Sequence, residues 1–246
     1  MRLAILTDIH ANREALEAVL ADVAGMRIDR FAILGDIVGY GPDPDWCIDK
    51  VADLQARGAI TVRGNHDRAI GVPDGALNAQ ARRVIDWTVD RLSAVHKAFL
   101  SELPLTVTEE DMLFVHASAN DPQDWIYVTN ENHAMPSFRV SKARLIFCGH
   151  VHKPALYSCD LSGRVMGHQF GYGTGVPLIR SRRWLGVIGS VGQPRDGSGL
   201  ASWSVMDTDR NELTFRRVGY DSATTARKVR SAGLPEALAA RLVKGF

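Results

Sequence analysis

Five of the eight histidines in this 246-residue sequence lie in short polar segments that each follow an apolar run. The segments are Asp8-Ile9-His10, Gly35-Asp36, Gly64-Asn65-His66-Asp67, the single His116, and Gly149-His150-Val151-His152. Imidazole, carboxylate and amide oxygen form a ligand set without thiolate, which is typical of catalytic Mn, Fe or Zn sites rather than structural zinc sites. One such histidine usually has a structural role. Five together indicate a metal-dependent catalytic site.

The apolar runs before these segments are predicted to be strands of a largely parallel sheet. Strands over 2–7, 31–34 and 59–62 alternate with predicted helices over 13–25 and 44–57. Ligands of open α/β sheets bind outside the carboxyl ends of the strands, so we expect the five segments to meet at one edge. Side chains two apart in an extended chain point the same way. On this basis we expect Asp8 with His10, and His150 with His152, each to reach toward one centre.

The second half of the sequence predicts a second sheet. Helices are expected to begin after N-caps at Asn78 and Ser93, and two more are expected over about 223–232 and 235–242. Strands are expected over 112–115, 145–148, 155–159, 202–206 and 212–218. Ten of the 22 glycines lie between 163 and 199, so we expect loops or bulged strands there. Without a linker or repeat, residues 1–246 are predicted to form one domain.

The composition excludes several classes of protein. The chain has 29 Lys and Arg against 28 Asp and Glu, and 46% of it is apolar, which is typical of globular proteins and excludes disorder. Cys47, Cys148 and Cys159 have no C-x-x-C spacing, which favours a reducing compartment, and no signal sequence is apparent. We therefore expect a cytoplasmic protein that does not cross a membrane and does not bind nucleic acid sequence-specifically.

Charge is unevenly distributed along the chain. Residues 1–140 hold 13 Lys and Arg against 21 Asp and Glu, whereas residues 141–246 hold 16 against 7. An acidic half suits cations and a basic half suits an anionic substrate, although two solvated faces without function would give the same counts.

The ordered series D-x-H, G-D-x-x-G, G-N-H-D, H and G-H-x-H resembles the calcineurin-like metallophosphoesterase superfamily. The segments 35–42, 189–197 and 233–235 are similar to a bacterial, phosphodiesterase-like branch of it. The resemblance implies an α/β fold in which a sandwich of two sheets is flanked by helices, a four-layer αββα arrangement. It also implies two divalent metal ions, with manganese as the first candidate and iron, zinc or nickel as alternatives.

The resemblance also implies a role for each motif residue. Asp8, His10 and His152 would bind the first metal ion, Asn65, His116 and His150 the second, and Asp36 both. His66 would not bind metal but would protonate the leaving oxygen, while a hydroxide activated by the two ions attacks phosphorus.

The sequence departs from the protein Ser/Thr phosphatases of this superfamily. Their second motif, G-D-x-x-D-R-G, has an aspartate that pairs with the catalytic histidine and an arginine that binds phosphate. This sequence has Gly39 and Tyr40 at those positions, which disfavours a phosphoprotein substrate.

Several residues outside the motifs are candidates for binding substrate. Asn12 and Arg13 begin the first predicted helix, and Arg195 lies among Gly189, Gly192 and Gly197, which we expect to allow close approach of an anion. Four aromatic residues could stack on a nucleotide base, namely Tyr40, Trp46, Trp125 and Tyr127. Packing within the protein is the favoured role for them.

Together these features predict a phosphoesterase that acts on a phosphodiester or a nucleotide phosphoanhydride. A small-molecule phosphomonoesterase is the alternative enzyme, and a non-catalytic metal-binding scaffold is a third reading. Loops over 39–46, 68–78 and 117–140 are expected to shape the pocket. The sequence leaves the substrate and the oligomeric state open.

Overall fold

A computed structural model describes residues 1–72 and 79–245 of the chain, so the predicted N-cap Asn78 lies outside the described residues. The strands are β1 (Arg2–Leu6), β2 (Arg30–Ile33), β3 (Ile60–Thr61), β4 (Thr106–Glu109), β5 (Met112–Val115), β6 (Leu145–Cys148), β7 (Ala155–Cys159), β8 (Val165–His168), β9 (Gly175–Pro177), β10 (Arg183–Val187), β11 (Ala201–Asp207) and β12 (Glu212–Val218). The helices are α1 (Arg13–Ala24), α2 (Pro44–Ala56), α3 (Asn65–Ala69), α4 (Ala79–Arg91), α5 (Ala94–Glu102), α6 (Glu131–Val140), α7 (Ser222–Ser231) and α8 (Glu236–Lys244).

The strands form two mixed sheets of six strands each. Their orders are β3-β2-β1-β11-β12-β9 and β4-β5-β6-β10-β7-β8. Each sheet contains three parallel neighbours, which are β1, β2 and β3 in the first and β5, β6 and β10 in the second. In the first sheet β1 lies between β2, which is parallel to it, and β11, which is antiparallel. The carboxyl ends of these parallel strands carry the polar segments of the sequence analysis.

The two sheets pack face to face and helices cover their outer faces. Ile5 and Leu34 of the first sheet share one buried cluster with Phe114 and Phe147 of the second. On the outside, α1 and α2 pack against the first sheet and α6 packs against the second. This layering of helices outside two sheets follows from the short strands, which are apolar on both faces and must be covered on both. The predicted sandwich of two sheets flanked by helices is confirmed.

Four elements of the second sheet's layers were not predicted as regular structure, namely β4, β8, β10 and α6. The central strand β10 lies in the glycine-rich segment 163–199, and α6 lies in the expected loop 117–140. A Cβ built on Gly186 of β10 would lie 3.1 Å from Leu213 in the facing sheet, so the glycine lets the sheets approach closely there. Helix α6 contains Pro136, a residue that usually ends a helix.

Candidate metal centre

The candidate site lies where the carboxyl ends of both sets of parallel strands meet. The backbone N–H of His150, after β6, donates to Oδ2 of Asp8, after β1, at 2.9 Å. Gly149 permits this contact, since a Cβ there would lie 2.0 Å from Oγ1 of Thr7. The two sheets therefore meet by direct contact between their motif loops.

The first group of potential metal ligands comprises Asp8, His10 and His152, all buried. Oδ1 of Asp8 lies 3.2 Å from Nε2 of His152 and 3.7 Å from Nε2 of His10, and the two Nε2 atoms lie 3.2 Å apart. Oδ1 of Asp8 accepts no hydrogen bond from the described residues. Three lone-pair atoms thus converge on one point, a geometry that could hold a divalent ion.

The second group comprises Asp36, His116 and His150, with Asn65 beside them. Nε2 of His116 lies 3.4 Å from Oδ2 of Asp36, 3.1 Å from Nδ1 of His150 and 3.2 Å from Oδ1 of Asn65. The same Oδ2 of Asp36 lies 3.6 Å from Nε2 of His10 in the first group. One carboxylate therefore joins the two groups, as a bridging ligand would.

Backbone carbonyls orient three of these imidazoles. Nδ1 of His10 faces the carbonyl of Val38 at 3.1 Å, Nδ1 of His116 faces that of Leu34 at 2.7 Å, and Nδ1 of His152 faces that of Gln193 at 2.6 Å. A ring whose Nδ1–H donates to a carbonyl has its Nε2 lone pair free. In all three residues Nε2 is the atom directed into the group.

Burial and mutual charge determine the protonation of the cluster. Burial alone would raise the pKa of both Asp8 and Asp36, but the surrounding imidazoles hold each pKa well below its usual range. Burial lowers the pKa of His150 to about 3 and that of His152 to about 4. Burial alone would also lower the pKa of His116, but the Asp36 carboxylate raises it to about 9.

Left-handed backbone positions five of the candidate ligands. The φ angles are 52° at Asp8, 49° at His10, 51° at Asp36, 66° at His150 and 63° at His152. Residues other than glycine rarely adopt this region, and it is concentrated at functional sites. The backbone at these residues is therefore not extended, contrary to the expectation from the sequence. Asp8 and His10 nevertheless meet in one group as predicted, whereas His150 and His152 lie in different groups.

His66 lies beside both groups. One of its ring nitrogens is within 4.8 Å of the ligand atoms of His10 and Asp36, and its backbone N–H donates to Oδ1 of Asp36 at 2.8 Å. Its Nδ1 is buried and has no hydrogen-bond partner among the described residues. Nδ1 faces Gly39, where a built Cβ would lie 2.3 Å away. The imidazole thus occupies the space that a side chain at position 39 would need.

Asp67 is a positioning residue to which the sequence analysis assigned no role. Its Oδ1 accepts from the backbone N–H groups of Ile37 at 2.9 Å and Val38 at 3.2 Å, and its Oδ2 accepts from Gly64 at 3.0 Å. It therefore ties the loop after β2 to the loop after β3. Its place in the G-N-H-D motif, next to an expected ligand and an expected acid, was the available signal.

The structure gives Asn12 and Arg13 other partners than a substrate. Oδ1 of Asn12 caps α1 by accepting from the backbone N–H of Ala15 at 3.1 Å, and its Nδ2 donates to the carbonyl of Gly192 at 2.8 Å. The Arg13 guanidinium is 2.9 Å from Glu17 and packs over the ring of Trp46. Both residues therefore have structural contacts, and their binding of substrate stays a prediction.

Arg195 lies next to the first group, and two of the glycines around it are closely packed. Its backbone N–H donates to the carbonyl of His152 at 3.2 Å. A Cβ on Gly192 would lie 1.7 Å from the carbonyl oxygen of Ile9, and one on Gly189 would lie 2.6 Å from Oγ of Ser202. Gly189 and Gly192 therefore allow close packing within the protein, and approach of an anion to Arg195 stays a prediction.

Two aromatic residues flank the second group. The ring of Tyr127, 48% exposed, stacks on His150 with centroids 4.2 Å apart, and Trp125 lies edge-on to His116 at 5.8 Å. Trp46 lies on the surface under Arg13. Tyr40 contacts His10 and His66 in the first group. The predicted packing role therefore fits Trp46, whereas Tyr127 also offers an accessible aromatic surface.

Comparison with known proteins agrees with this architecture. The model of the calcineurin-like phosphoesterase superfamily domain matches residues 1–211. An uncharacterized protein of Methanocaldococcus jannaschii is 33% identical over 249 residues, which is 99% of this chain and 98% of that protein. A solved metallophosphoesterase from Sphaerobacter thermophilus is 38% identical, with a TM-score of 0.87 and complete coverage of both chains. A hypothetical protein of Pyrococcus horikoshii OT3 shares the fold at 20% identity, with a TM-score of 0.80 over 100% of this chain and 98% of that one.

A two-sheet sandwich with Asp and His groups at the ends of its parallel strands defines the metallophosphoesterase class. The protein belongs to the calcineurin-like phosphoesterase superfamily, which confirms the resemblance stated from its motifs. Its described helices include none long and apolar enough to cross a membrane.

Proposed function

We propose that this protein uses two divalent metal ions to hydrolyse a phosphodiester or a nucleotide phosphoanhydride. The observation that carries the proposal is Asp36, whose Oδ2 faces His10 of one ligand group and His116 of the other. A shared carboxylate is how two ions are held close enough to act on one phosphoryl group.

The residues present fit two metal ions. Oδ1 of Asp8 is buried without a hydrogen-bond partner among the described residues, and the pair His10–His152 brings two ring nitrogens within 3.2 Å. Ionised carboxylates and neutral imidazoles are the forms that bind metal, so binding would release the proton that Asp36 favours on His116. The ligand set is Asp8, His10 and His152 for one ion and Asn65, His116 and His150 for the other, with Asp36 common to both. Its lack of thiolate suits manganese, iron or zinc alike, and we propose manganese first, with iron, zinc or nickel as alternatives.

When bound, two divalent ions would polarise the phosphoryl oxygens and lower the pKa of water at the site. The protein's own contribution to proton transfer is assigned to His66, whose backbone N–H donates to Asp36. Burial lowers the pKa of its imidazole to about 3, so donation to the leaving oxygen requires that the ring gain a proton when substrate is bound. Asp67 keeps the loops of Asp36 and His66 in register through three backbone hydrogen bonds.

The surroundings of the second group support an organic ester or nucleotide substrate. Tyr127 stacks on His150 while half of its surface stays accessible, and an aromatic face of this kind can stack on a base or another planar leaving group. Positions 39 and 40 hold glycine and tyrosine instead of the aspartate and arginine of the protein phosphatases, which disfavours a phosphoprotein as substrate.

The direct test compares bis(p-nitrophenyl) phosphate with p-nitrophenyl phosphate. Metal-stripped protein is assayed alone, with Mn²⁺ added back, and as the Asp36→Asn variant. We expect diester turnover that requires both the metal and Asp36. Preference for the monoester would instead support the phosphomonoesterase. No turnover by protein shown to contain two metal ions would contradict catalysis and favour the scaffold.

We further propose a cytoplasmic location and small-molecule partners. All three cysteines are free, which suits a reducing compartment. Cell fractionation of a tagged chain tests the location. We also expect no sequence-specific binding of nucleic acid, which a binding search checks.

A further inference from the structure

Two arginines from distant parts of the sequence meet beside the first ligand group. Nη2 of Arg195 donates to Oε1 of Gln193 at 2.9 Å, and Nη1 of Arg241, on α8, donates to the same oxygen at 3.3 Å. One neutral amide oxygen thus holds two guanidinium groups. Like charges brought this close repel each other unless an anion joins them.

Nothing in the described chain neutralises this pair. Over residues 1–72 and 79–245, neither guanidinium has a carboxylate oxygen within the 4.0 Å that defines an ion pair. Both arginines are half-buried, and Nε of Arg195 is buried without a hydrogen-bond partner in this part of the chain. Burial lowers the pKa of Arg241, and the charge of Arg195 lowers it further. The pair is therefore short of negative charge.

The pair adjoins the candidate metal centre. The backbone N–H of Arg195 donates to the carbonyl of His152, and its guanidinium carbon lies 5.8 Å from the centre of the Tyr40 ring. That ring lies 4.6 Å from the ring of His10 and 4.4 Å from that of His66. The Tyr40 ring therefore lies near Arg195 and near both His10 and His66.

The loop that carries Arg195 is held rigidly against α8. The backbone N–H of Gly197 donates to the carbonyl of Gly245 at 2.9 Å, and Asp196 forms an ion pair with Arg217 of β12. A Cβ on Gly245 would lie 2.5 Å from the backbone nitrogen of Gly199, so the end of α8 and this loop pack backbone to backbone. Such positioning lowers the entropy cost of binding a ligand.

We propose that Arg195 and Arg241 form a clamp for a negative charge of the substrate beyond the single charge of a phosphodiester. This inference rests on the proposed function and deepens it. Two sources provide such a charge, namely the second charge of a phosphomonoester and the next phosphate of a phosphoanhydride. Paired guanidinium groups bind phosphoryl oxygens in both.

The test measures selectivity. For wild type and for Arg241→Gln, kcat/KM is determined at pH 8 with bis(p-nitrophenyl) phosphate, p-nitrophenyl phosphate and ADP. We expect Arg241→Gln to lower kcat/KM for p-nitrophenyl phosphate or for ADP, relative to kcat/KM for the diester, about ten-fold or more. This is the effect expected for loss of a charged hydrogen bond. A fall for p-nitrophenyl phosphate places the charge on the scissile phosphorus, and a fall for ADP alone places it on the next phosphate. Unchanged ratios for both would overturn the clamp.

Two further variants keep the result interpretable. Arg241→Lys retains charge without the planar fork and should recover part of the lost ratio. Lys244→Gln removes an exposed cation from the same helix and should leave the ratio at its wild-type value. If Lys244→Gln lowers the ratio as much as Arg241→Gln, the effect is one of general charge and the clamp is wrong.

A binding measurement separates this inference from the proposed function. Inorganic phosphate should raise the unfolding temperature of metal-free wild type more than that of metal-free Arg241→Gln. If wild type with metal hydrolyses none of the three substrates but shows this difference, the proposed function fails and the anion clamp stands. If it hydrolyses them and phosphate stabilises both proteins equally, the clamp fails alone.

Discussion

Nδ1 of His66 lies against the Cα of Gly39, in the space where every other amino acid would carry its Cβ. The φ angle of Gly39 is 89°, so the position is also unfavourable for any side chain on conformational grounds. The glycine that replaces the aspartate of the protein phosphatases is thus a steric requirement of this site.

Gly39→Ala should displace the His66 ring and lower kcat by at least about 100-fold, as expected when a positioned acid is lost. It should also cost about 1 to 2 kcal/mol of unfolding free energy for the left-handed backbone. Gly58→Ala is the matched control, since Gly58 has a φ of 94° with open space around it. We expect a similar stability loss there with full activity. Normal activity in Gly39→Ala would show that His66 does not need its present place.

Replacing His66 with alanine should slow turnover by about 10² to 10⁴, the usual contribution of a general acid, and leave the metal content unchanged. Elemental analysis of the purified variant beside kcat for bis(p-nitrophenyl) phosphate measures both. The His66 ring nitrogen lies within 4.8 Å of ligand atoms of His10 and Asp36, so metal binding is the alternative role. Loss of an ion from the variant would establish that role. His133→Ala, outside the cluster, serves as the control.

Asp36→Asn should lose both metal ions and all activity, because Oδ2 of Asp36 faces both ligand groups. The amide is isosteric, and its remaining oxygen can still accept from the backbone N–H of His66. We therefore expect the variant to fold, with circular dichroism like that of wild type, and to bind less than one ion per chain by titration calorimetry. Two tightly bound ions would rule out a bridging role.

Tyr220 should make stability fall at alkaline pH. Burial raises its pKa to about 12, above the value of about 10 for an unfolded chain. Its contribution is therefore complete below pH 10 and is lost as the pH rises toward 12, by up to about 1 kcal/mol per pH unit. Urea unfolding at pH 9, 10 and 11 should show the unfolding free energy of wild type falling relative to that of Tyr220→Phe. A constant difference would contradict the raised pKa.

Local sequence was enough to predict most of the scaffold. Continuous apolar runs gave β1, β5 and β6, because strands buried on both faces need no alternation. Strand β10 was missed because Gly186 interrupts its apolar run, although the glycine is what the close approach of the facing sheet requires. Helix α6 was missed because Pro136 usually ends a helix, and tertiary packing outweighed that preference.

Motif order indicated which residues meet at the candidate site. Strand periodicity alone would have put His150 and His152 in one group, whereas the family resemblance separates them, as do the groups of potential ligands in the structure. Arg241 gave no signal at all, since it is one basic residue on an ordinary amphipathic helix. Only the tertiary structure brings it to Gln193 and Arg195.

The placement of β1 between β2 and β11 has a consequence for synthesis of the chain. Its register pairs Leu3 with Met206 and Ala4 with Val205, so the strand that carries Asp8 forms its second ladder with residues made some 200 positions later. Until β11 has left the ribosome, the nascent chain exposes one unpaired edge of β1, the kind of edge that promotes aggregation. Pairing across so long a separation is slow, and we expect the site to form late, after the first half of the chain has already collapsed.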